Sequence, residues 1–257
     1  MLALAALCAS SAALAAGGGP DCSRPLTLAL HDHGLLYSAD TGAGIDKDVA
    51  DELIRRSGCT VQVSLLPRAR IWQLIEAGAL DFSLSGIATR ERDKFAAFAW
   101  YFSNKYYLLT RRDAQVSTLV DFERNRGLQL GVIRSFRYSD SANRFVDSLT
   151  QQRRVTQSSG LSALFKALLA GQLQAMIIEP FDEPALAQAR LHELTRVIEF
   201  GDKPVPHGLI MSRQSLPDSE QAKWRSLVDS MRRDGTMLRI FEKYFESELA
   251  RALVLAE

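Results

Sequence analysis

Residues 74–81 read LIEAGALD, and residues 167–174 repeat the pattern as ALLAGQLQ. Each copy ends a helix-like segment on Ala-Gly and continues, after one spacer residue, with a Leu and a polar residue that open an apolar run. Glycine just past the last helical residue is a typical helix stop, and a short apolar run is typical of a buried strand. The repeat therefore predicts two similar halves, each built from helices and strands.

Strand-like and helix-like segments alternate around both copies. The strand-like runs are Leu26–Leu30, Val61–Leu66, Leu80–Leu84, Leu128–Ile133 and Leu173–Ile178. Strands separated by helices of about ten residues favour parallel βαβ units. Ligands sit at the carboxyl ends of such strands, and in the two halves Ser85-Gly86 and Glu179 stand at those ends.

The segments outside the repeat predict how the halves connect. Tyr106–Thr110 is a short strand-like run between them, and Gly201–Met211 leads back after the second half. A final helical segment, Ser219–Phe245, would complete the first half. We therefore predict an α/β fold of two lobes, each a mostly parallel sheet flanked by helices. The first lobe would consist of residues 22–104 together with 207–257, and the second of residues 105–206. Two crossovers joining the lobes would form a hinge.

Composition excludes several classes of protein. The chain has 257 residues, 47% of them hydrophobic, with 31 basic and 30 acidic side chains. That is too apolar for a disordered chain and too evenly charged for a dedicated nucleic-acid binder. No apolar run reaches the 18 or so residues needed to span a bilayer, and three cysteines give no zinc pattern.

The N-terminal stretch predicts export. Residues 1–16 carry no charge and are mostly Ala and Leu, and Ala13-Leu14-Ala15 supplies the small-x-small pattern of a signal-peptidase site. We expect a signal peptide over residues 1–15 and a periplasmic mature chain, although no Lys or Arg precedes the apolar stretch. The alternative is a buried N-terminal helix.

Export changes how the cysteines are interpreted. Cys22 and Cys59 each stand just before a strand-like run. If those runs are neighbouring parallel strands, both cysteines lie at one edge of the sheet, within bridging range. A Cys22–Cys59 disulfide is predicted, with two buried free thiols as the alternative.

Three further motifs resemble the extracellular solute-binding proteins of the polar amino-acid class, the periplasmic components of ABC importers. They are the Gly-hydrophobic-Asp-x-Asp step at 44–48, the strand-SG segment at 80–86 with Thr-Arg-Glu-Arg at 89–92, and Asp-Gly-Thr at 234–236 before the closing helix at 240–245. The resemblance covers nearly the whole mature chain. It implies the two-lobed periplasmic-binding-protein fold and a small ligand, such as an amino acid, held between the lobes.

The resemblance also implies a set of ligand-binding residues. Arg92 matches the arginine that binds the ligand carboxylate, and Ser85 and Gly86 match the positions that assist it. Asp32 and Glu179 match the ammonium side. A membrane permease would be the protein partner, and we expect a monomer that needs no metal or cofactor and binds no nucleic acid.

The chain departs from the family pattern in the second-lobe loop. Residues 131–138 read GVIRSFRY where Gly-Val-x-x-Gly-Thr is usual. Arg137 in this loop, and Arg68 near the side-chain pocket of the family, would add cations to the cleft. That would suit an acidic or bulkier ligand. The sequence does not decide which of Arg68, Arg70, Arg134 and Arg137 reach the cleft.

Each candidate also has a purely structural interpretation. Arg92 could be a surface residue at a helix start, Asp32 a turn residue, and Glu179 a cap for the helix after Pro180. His31 and His33 flank Asp32, but no third metal ligand is nearby. The tryptophans are expected in the core: Trp72, Trp100 and Trp224.

Two other functions compete with a non-enzymatic transport protein. One is a ligand sensor that docks on a signalling receptor. The other is a periplasmic enzyme of dehydratase type on the same fold, with Glu179 or Asp32 as a general acid. The sequence offers no pair of nucleophile and base, which favours binding over catalysis.

Overall fold

The computed structural model describes residues 18–255, so the predicted signal peptide lies outside the described residues. Two sheets of five strands, flanked by helices, form two lobes. The predicted fold class is therefore confirmed. None of the helices in this range combines the length and apolar character needed to cross a bilayer.

The elements follow one another in the alternating order that the sequence predicts. The strands are β1 (Leu26–Leu30), β2 (Val61–Leu65), β3 (Phe82–Gly86), β4 (Ala96–Asn104), β5 (Tyr107–Arg111), β6 (Leu130–Ile133), β7 (Val155–Ser158), β8 (Ala175–Ile178), β9 (Thr195–Glu199) and β10 (Val205–Ser212). The helices are α1 (Ile45–Ser57), α2 (Arg68–Glu76), α3 (Leu119–Arg124), α4 (Asp140–Gln151), α5 (Leu161–Leu169), α6 (Glu183–Gln188), α7 (Asp218–Arg233), α8 (Thr236–Phe241) and α9 (Ser247–Leu253).

The first lobe contains the sheet β2-β1-β3-β10-β4. β1 pairs in parallel with β2 and β3, whereas β10 runs antiparallel to β3 and β4. Helices α1, α7, α8 and α9 bury one face in the larger apolar cluster of this lobe, and α2 covers the other face. Both faces of the central strands are covered, so β3 is buried along its whole length even though it contains Ser83 and Ser85.

The second lobe repeats this plan with the sheet β7-β6-β8-β5-β9. β6 is parallel to β7 and β8, and β5 is antiparallel to β8 and β9. Helices α3 and α4 pack in one apolar cluster, and α5 and α6 pack in the other. The carboxyl ends of β3 and β8 thus occupy corresponding places in the two lobes.

The chain passes between the lobes twice. Residues 105–106 connect β4 to β5, and residues 200–204 connect β9 to β10. β10 pairs with β4 from its first residue, where Val205 is opposite Asn104. The first-lobe sheet therefore resumes two residues before the predicted boundary at 206/207.

A disulfide joins Cys22 to Cys59, with Cα atoms 4.9 Å apart. Cys22 precedes β1 and Cys59 precedes β2, which are neighbouring parallel strands. The predicted bridge is confirmed, because the two strands that follow the cysteines are neighbours in the sheet. The alternative of two free thiols is not observed.

Candidate functional site

A small cavity lies between the lobes, at the carboxyl ends of β3 and β8. Its volume is about 20 Å³, which is room for about one water molecule. Six of the seven predicted ligand-binding residues line it: Arg68, Ser85, Gly86, Arg92, Arg137 and Glu179. The lobes are therefore closed on each other around the residues that the sequence singles out.

Arg92 begins a short 3₁₀ turn after β3 and is 8% exposed. Its Nη1 donates to the carbonyl of Ile87 at 3.0 Å, and its Nη2 donates to the carbonyl of Ser135, in the second lobe, at 2.8 Å. The guanidinium lies over the ring of Trp72, 3.8 Å from its centroid. Within residues 18–255 no carboxylate oxygen lies within 4 Å of Arg92, so this buried cation is held by carbonyls and an aromatic face alone.

Arg68 is the first residue of α2, and it is 5% exposed. Its Nη1 donates to the carbonyl of Leu84 at 3.0 Å, and its guanidinium carbon lies 5.6 Å from the ring centroid of Phe136. No carboxylate of the described chain forms an ion pair with it. Burial lowers the pKa of Arg68, and the charges of Asp46 and Glu179 act against that shift.

Ser85 and Gly86 end β3 at the cavity. Ser85 has a φ of +52°, in the left-handed region that is strained for a residue with a side chain. Its hydroxyl donates to Oδ1 of the buried Asp46 at 2.5 Å, and burial raises the pKa of Asp46 to about 6. A Cβ at Gly86 would lie 2.3 Å from the side chain of Ile210, so close packing of β3 on β10 requires glycine there.

Glu179 follows β8 and is buried among partners from the first lobe. Its Oε1 lies 2.7 Å from Nε2 of His33, and its Oε2 accepts a hydrogen bond from the Asn104 side chain. Burial opposes its charge, but the hydrogen bond and charge of His33 hold the pKa of Glu179 below its ordinary value. In this closed state, His33 is the cationic partner of Glu179.

Asp182 forms the second acidic contact of His33, with Oδ1 3.4 Å from Nε2. Burial and the neighbouring Glu179 charge raise the pKa of Asp182 to about 7. Burial also disfavours the charge on His33, but the charges of Asp182 and Glu179 outweigh it and raise the pKa of His33. The His33 imidazolium is thus stabilised at the contact between the lobes.

Arg137 lies at the rim of the cavity. Its side chain is 46% exposed and pairs with Asp147 at 3.2 Å. Arg70 and Arg134 are exposed and do not line the cavity. Of the four arginines that the sequence left undecided, Arg68 lies inside the cleft and Arg137 lies at its edge.

Asp32 is the one predicted ligand-binding residue that the structure does not bring to this cavity. It is exposed, and its Oδ1 accepts a hydrogen bond from the backbone N–H of Ala39 at 2.9 Å. Its neighbours His31 and His33 are both buried. The side chains alternate after β1, so the two histidines face inward and Asp32 faces outward. Asp32 therefore stabilises a turn, which was the structural interpretation given for it above.

Sequence reasoning did not assign to the site the side chains of Trp72, Tyr106 and His207, which line the cavity, or that of His33, which lines a smaller cavity beside Glu179. Trp72, predicted in the core, is buried yet forms the platform for Arg92. Tyr106 donates to Nε2 of His207 at 2.8 Å, because the other ring nitrogen of His207 donates to the carbonyl of Val205. The only signal for His33 was its alternation with Asp32 in the His-x-His stretch.

The described part of the chain contains no group of His, Cys, Asp and Glu arranged to hold a metal ion. The cavity instead combines two buried guanidiniums and one carboxylate with aromatic walls. Such a site can bind a small ligand that carries charges of both signs, because each charge then finds a partner away from water.

The family model of the bacterial extracellular solute-binding proteins, family 3, matches residues 33–247. Solved structures are similar in fold. An ABC uptake transporter substrate-binding protein from Streptococcus pneumoniae with bound histidine is 18% identical, with a TM-score of 0.72 over 86% of this chain and 92% of that chain. The arginine-, lysine-, histidine-binding protein ArtJ from Geobacillus stearothermophilus is 17% identical, with a TM-score of 0.71 over 89% and 100%.

A histidine kinase sensor domain with similarity to periplasmic binding proteins is also similar, at 15% identity and a TM-score of 0.74 over 91% of this chain and 98% of that chain. The comparison with curated proteins gave no match. At these identities the likeness to the solved structures establishes the fold alone.

Proposed function

Because the chain belongs to family 3 of the bacterial extracellular solute-binding proteins, we propose that it captures an amino acid between its lobes and delivers it to the membrane permease of an ABC importer. One observation carries this proposal. The buried guanidinium of Arg92 has no carboxylate partner within residues 18–255, and it lies in the same cavity as the carboxylate of Glu179. The two groups come from different lobes. An amino-acid zwitterion would supply the charge that each of them needs.

The chemistry of each residue suggests its role. A guanidinium offers a bidentate fork to a carboxylate, so Arg92 would bind the α-carboxylate, next to Ser85 and Gly86. Glu179 would accept from the α-ammonium once His33 moves away from it. Arg137, at the rim and already paired with Asp147, would contact only the outer part of a ligand.

Ligand access from the wide cleft mouth, of about 1050 Å³, to Glu179 requires the lobes to separate. The inner cavity volume of about 20 Å³ does not admit an amino acid, and the contacts that close the cleft cross from one lobe to the other. These are the hydrogen bond from Arg92 to Ser135 and the pair of His33 with Glu179. We therefore propose that the crossovers at 105–106 and 200–204 act as a hinge between the two lobes. The first lobe is residues 22–104 together with 207–257, and the second is residues 105–206.

The family is extracellular, which supports a protein that acts outside the cytoplasmic membrane, and we propose that it does so as a monomer. The predicted removal of residues 1–15 belongs to the same proposal. The disulfide between Cys22 and Cys59 agrees with an oxidising compartment. No step of the proposed function is catalytic.

Calorimetry with the mature protein and each of the common amino acids tests the proposal directly. We expect saturable binding of at least one L-amino acid, and no binding of its amidated, carboxylate-free form. Deleting the gene should then abolish uptake of that amino acid. Failure of every amino acid to bind would refute the proposal, and recovery of a chemically altered ligand would indicate an enzyme.

A second experiment separates transport from sensing. If uptake of the bound amino acid is unchanged in the deletion strain while a transcriptional response to it is lost, the protein acts as a sensor. Loss of uptake with an intact response supports delivery to a permease.

A further inference from the structure

Two buried guanidiniums share the cleft cavity, and neither has an acidic partner. Arg68 and Arg92 are 5% and 8% exposed. Arg68 forms one hydrogen bond to a backbone carbonyl, and Arg92 forms two. Across residues 18–255 neither reaches a carboxylate oxygen within 4 Å. Buried charges without a counter-ion are rare because desolvation is costly, so both positions call for an anion that the protein does not supply.

The other charges at the cavity are already engaged. Arg137 pairs with Asp147, and Glu179 pairs with His33. Asp46 lies behind Ser85 and accepts from the hydroxyls of Ser85 and Tyr101. The charges of Asp46 and Glu179 favour the charged form of Arg68, but within residues 18–255 neither carboxylate forms an ion pair with Arg68 or Arg92, which are therefore the cavity's two cations without a direct acidic partner.

The two guanidiniums face the same small space from different elements. Arg68 stands at the start of α2, and Arg92 stands in the turn after β3. Burial lowers the pKa of Arg92 to about 9, and the charge of Arg68 acts in the same direction. A ligand that brought only one negative charge would leave the second guanidinium unpaired next to the first.

We infer that the cleft selects a ligand with two carboxylates, an acidic amino acid, in which Arg92 binds one carboxylate and Arg68 binds the other. The assignment of an amino group to Glu179 rests on the proposed function, whereas the pairing of two carboxylates with two arginines does not. A ligand with a basic side chain would place a third cation beside two unpaired guanidiniums. A neutral ligand would leave Arg68 buried without an anion.

Calorimetry with matched ligands tests this inference on the unaltered chain. The probes are L-glutamate and L-aspartate, their amides L-glutamine and L-asparagine, the basic amino acid L-arginine, and the amine-free diacids glutarate and succinate. Acid and amide differ by one group of similar shape. We expect the acids to bind about 10- to 100-fold more tightly than the amides, because the amide leaves a buried charge unpaired.

The four outcomes distinguish the inference from the proposed function. Preference for glutamate or aspartate over its amide supports both. Binding of the diacids without any amino acid supports the two-arginine inference and refutes the amino-acid function. Equal or tighter binding of an amide or of arginine refutes the inference and keeps the amino-acid function. Absence of binding by all probes refutes both.

A variant pair assigns the preference to Arg68. Arg68→Gln should reduce the ratio of acid to amide affinity towards one, since the second carboxylate loses its partner. Arg70→Gln is the matched control: Arg70 lies on the same helix but is exposed, and its guanidinium donates a hydrogen bond to Gln73. The control should keep the full preference. An unchanged preference in a folded Arg68→Gln variant would overturn the assignment, and Arg68→Lys provides a second variant if the first does not fold.

Discussion

His33 and Glu179 pair across the cleft, with Nε2 of His33 2.7 Å from Oε1 of Glu179 and both side chains buried. His33 follows β1 in the first lobe, and Glu179 follows β8 in the second. Asp182 adds a second carboxylate 3.4 Å from the same nitrogen. The imidazolium therefore provides the positive charge that a ligand ammonium would otherwise provide, and it does so in the closed state.

This pair predicts how stability depends on pH. The folded protein raises the pKa of His33 above its ordinary 6.5 and the pKa of Asp182 from 3.8 to about 7. Both groups bind a proton more tightly in the folded protein than in the unfolded chain. Their contribution to the free energy of unfolding is therefore lost as the pH rises through the folded pKa values. For Asp182 this loss runs from pH 3.8 to about 7, and for His33 it begins at pH 6.5. Between pH 6.5 and 7 both groups should therefore lower the free energy of unfolding as the pH rises, by at most about 1.4 kcal/mol per pH unit for each proton.

Denaturant unfolding at several pH values measures this slope. Asp182→Asn should reduce it, because one of the two protons is removed while a hydrogen-bond acceptor is kept for the N–H of Glu179. His192→Gln is the control, since His192 is half-exposed and its ring pairs with Glu183 rather than with Glu179 or Asp182. A free energy that rises from pH 6.5 to 7 in the wild-type protein would contradict the prediction.

The range below pH 6.5 should behave differently. Burial lowers the pKa of His207 to about 4 and that of His31 to about 2. Both rings must lose a proton to fold, so they favour the folded state as the pH rises towards 6.5. The raised pKa of Asp182 acts against this rise between pH 3.8 and about 7, so the joint effect of His33 and Asp182 is measured above pH 6.5, where His207 and His31 no longer contribute.

A second prediction concerns Arg92. Replacing it with Ala removes the proposed partner of the ligand carboxylate and should weaken binding by about 2–5 kcal/mol. Arg92→Lys should recover little, because an ammonium does not reproduce the bidentate fork or the stacking on Trp72. Calorimetry on Arg92→Ala, Arg92→Lys and the exposed control Arg90→Ala measures the effect. Wild-type affinity in a folded Arg92→Ala variant would assign the carboxylate to another arginine.

The order of strands and helices could be predicted because apolar runs and glycine stops repeat in both halves. β4 and β7 could not. β4 is an unbroken run of Ala and aromatic residues without alternation, and β7 is a four-residue edge strand with a polar sequence. Pairing with a neighbouring strand, rather than local preference, determines both of these elements.

The site illustrates the same limit at the level of single side chains. The position after β1 could be predicted to carry a functional group, but which of His31, Asp32 and His33 faces inward depends on the turn that follows. Trp72 is a large aromatic residue of the kind expected in a core, and it is buried. Its ring supports Arg92 only because the Arg92 guanidinium lies over it. Neither relationship is visible in residue spacing.

A third prediction concerns the disulfide. Cys22 and Cys59 are 37 residues apart, and closing a loop of that size contributes about 4 kcal/mol in the chain-entropy model. The double variant Cys22→Ser/Cys59→Ser should lose stability of that order, measured by denaturant unfolding. The unfolded, unreduced mature protein should show no free thiol. Two free thiols, or equal stability of the double variant, would contradict the prediction.

The last prediction concerns opening of the cleft. The cleft mouth, lined by Arg92 and Arg137, has a volume of about 1050 Å³, but the inner cavity that contains Arg68 and Glu179 has only about 20 Å³. A ligand that contacts Glu179 must therefore bind to a state in which the lobes are apart, and second-lobe contacts then favour closure. Spin labels on exposed residues at the two sides of the cleft mouth, Glu91 and Asp140, report the separation. We expect a broad distance distribution in the free protein and a single short distance with the tightest-binding amino acid.

Labels at Glu91 and Ser219, both in the first lobe, are the control and should not respond to the ligand. One unchanged distance for the cleft pair, with and without saturating ligand, would rule out the hinge, because binding would then occur without separation of the lobes.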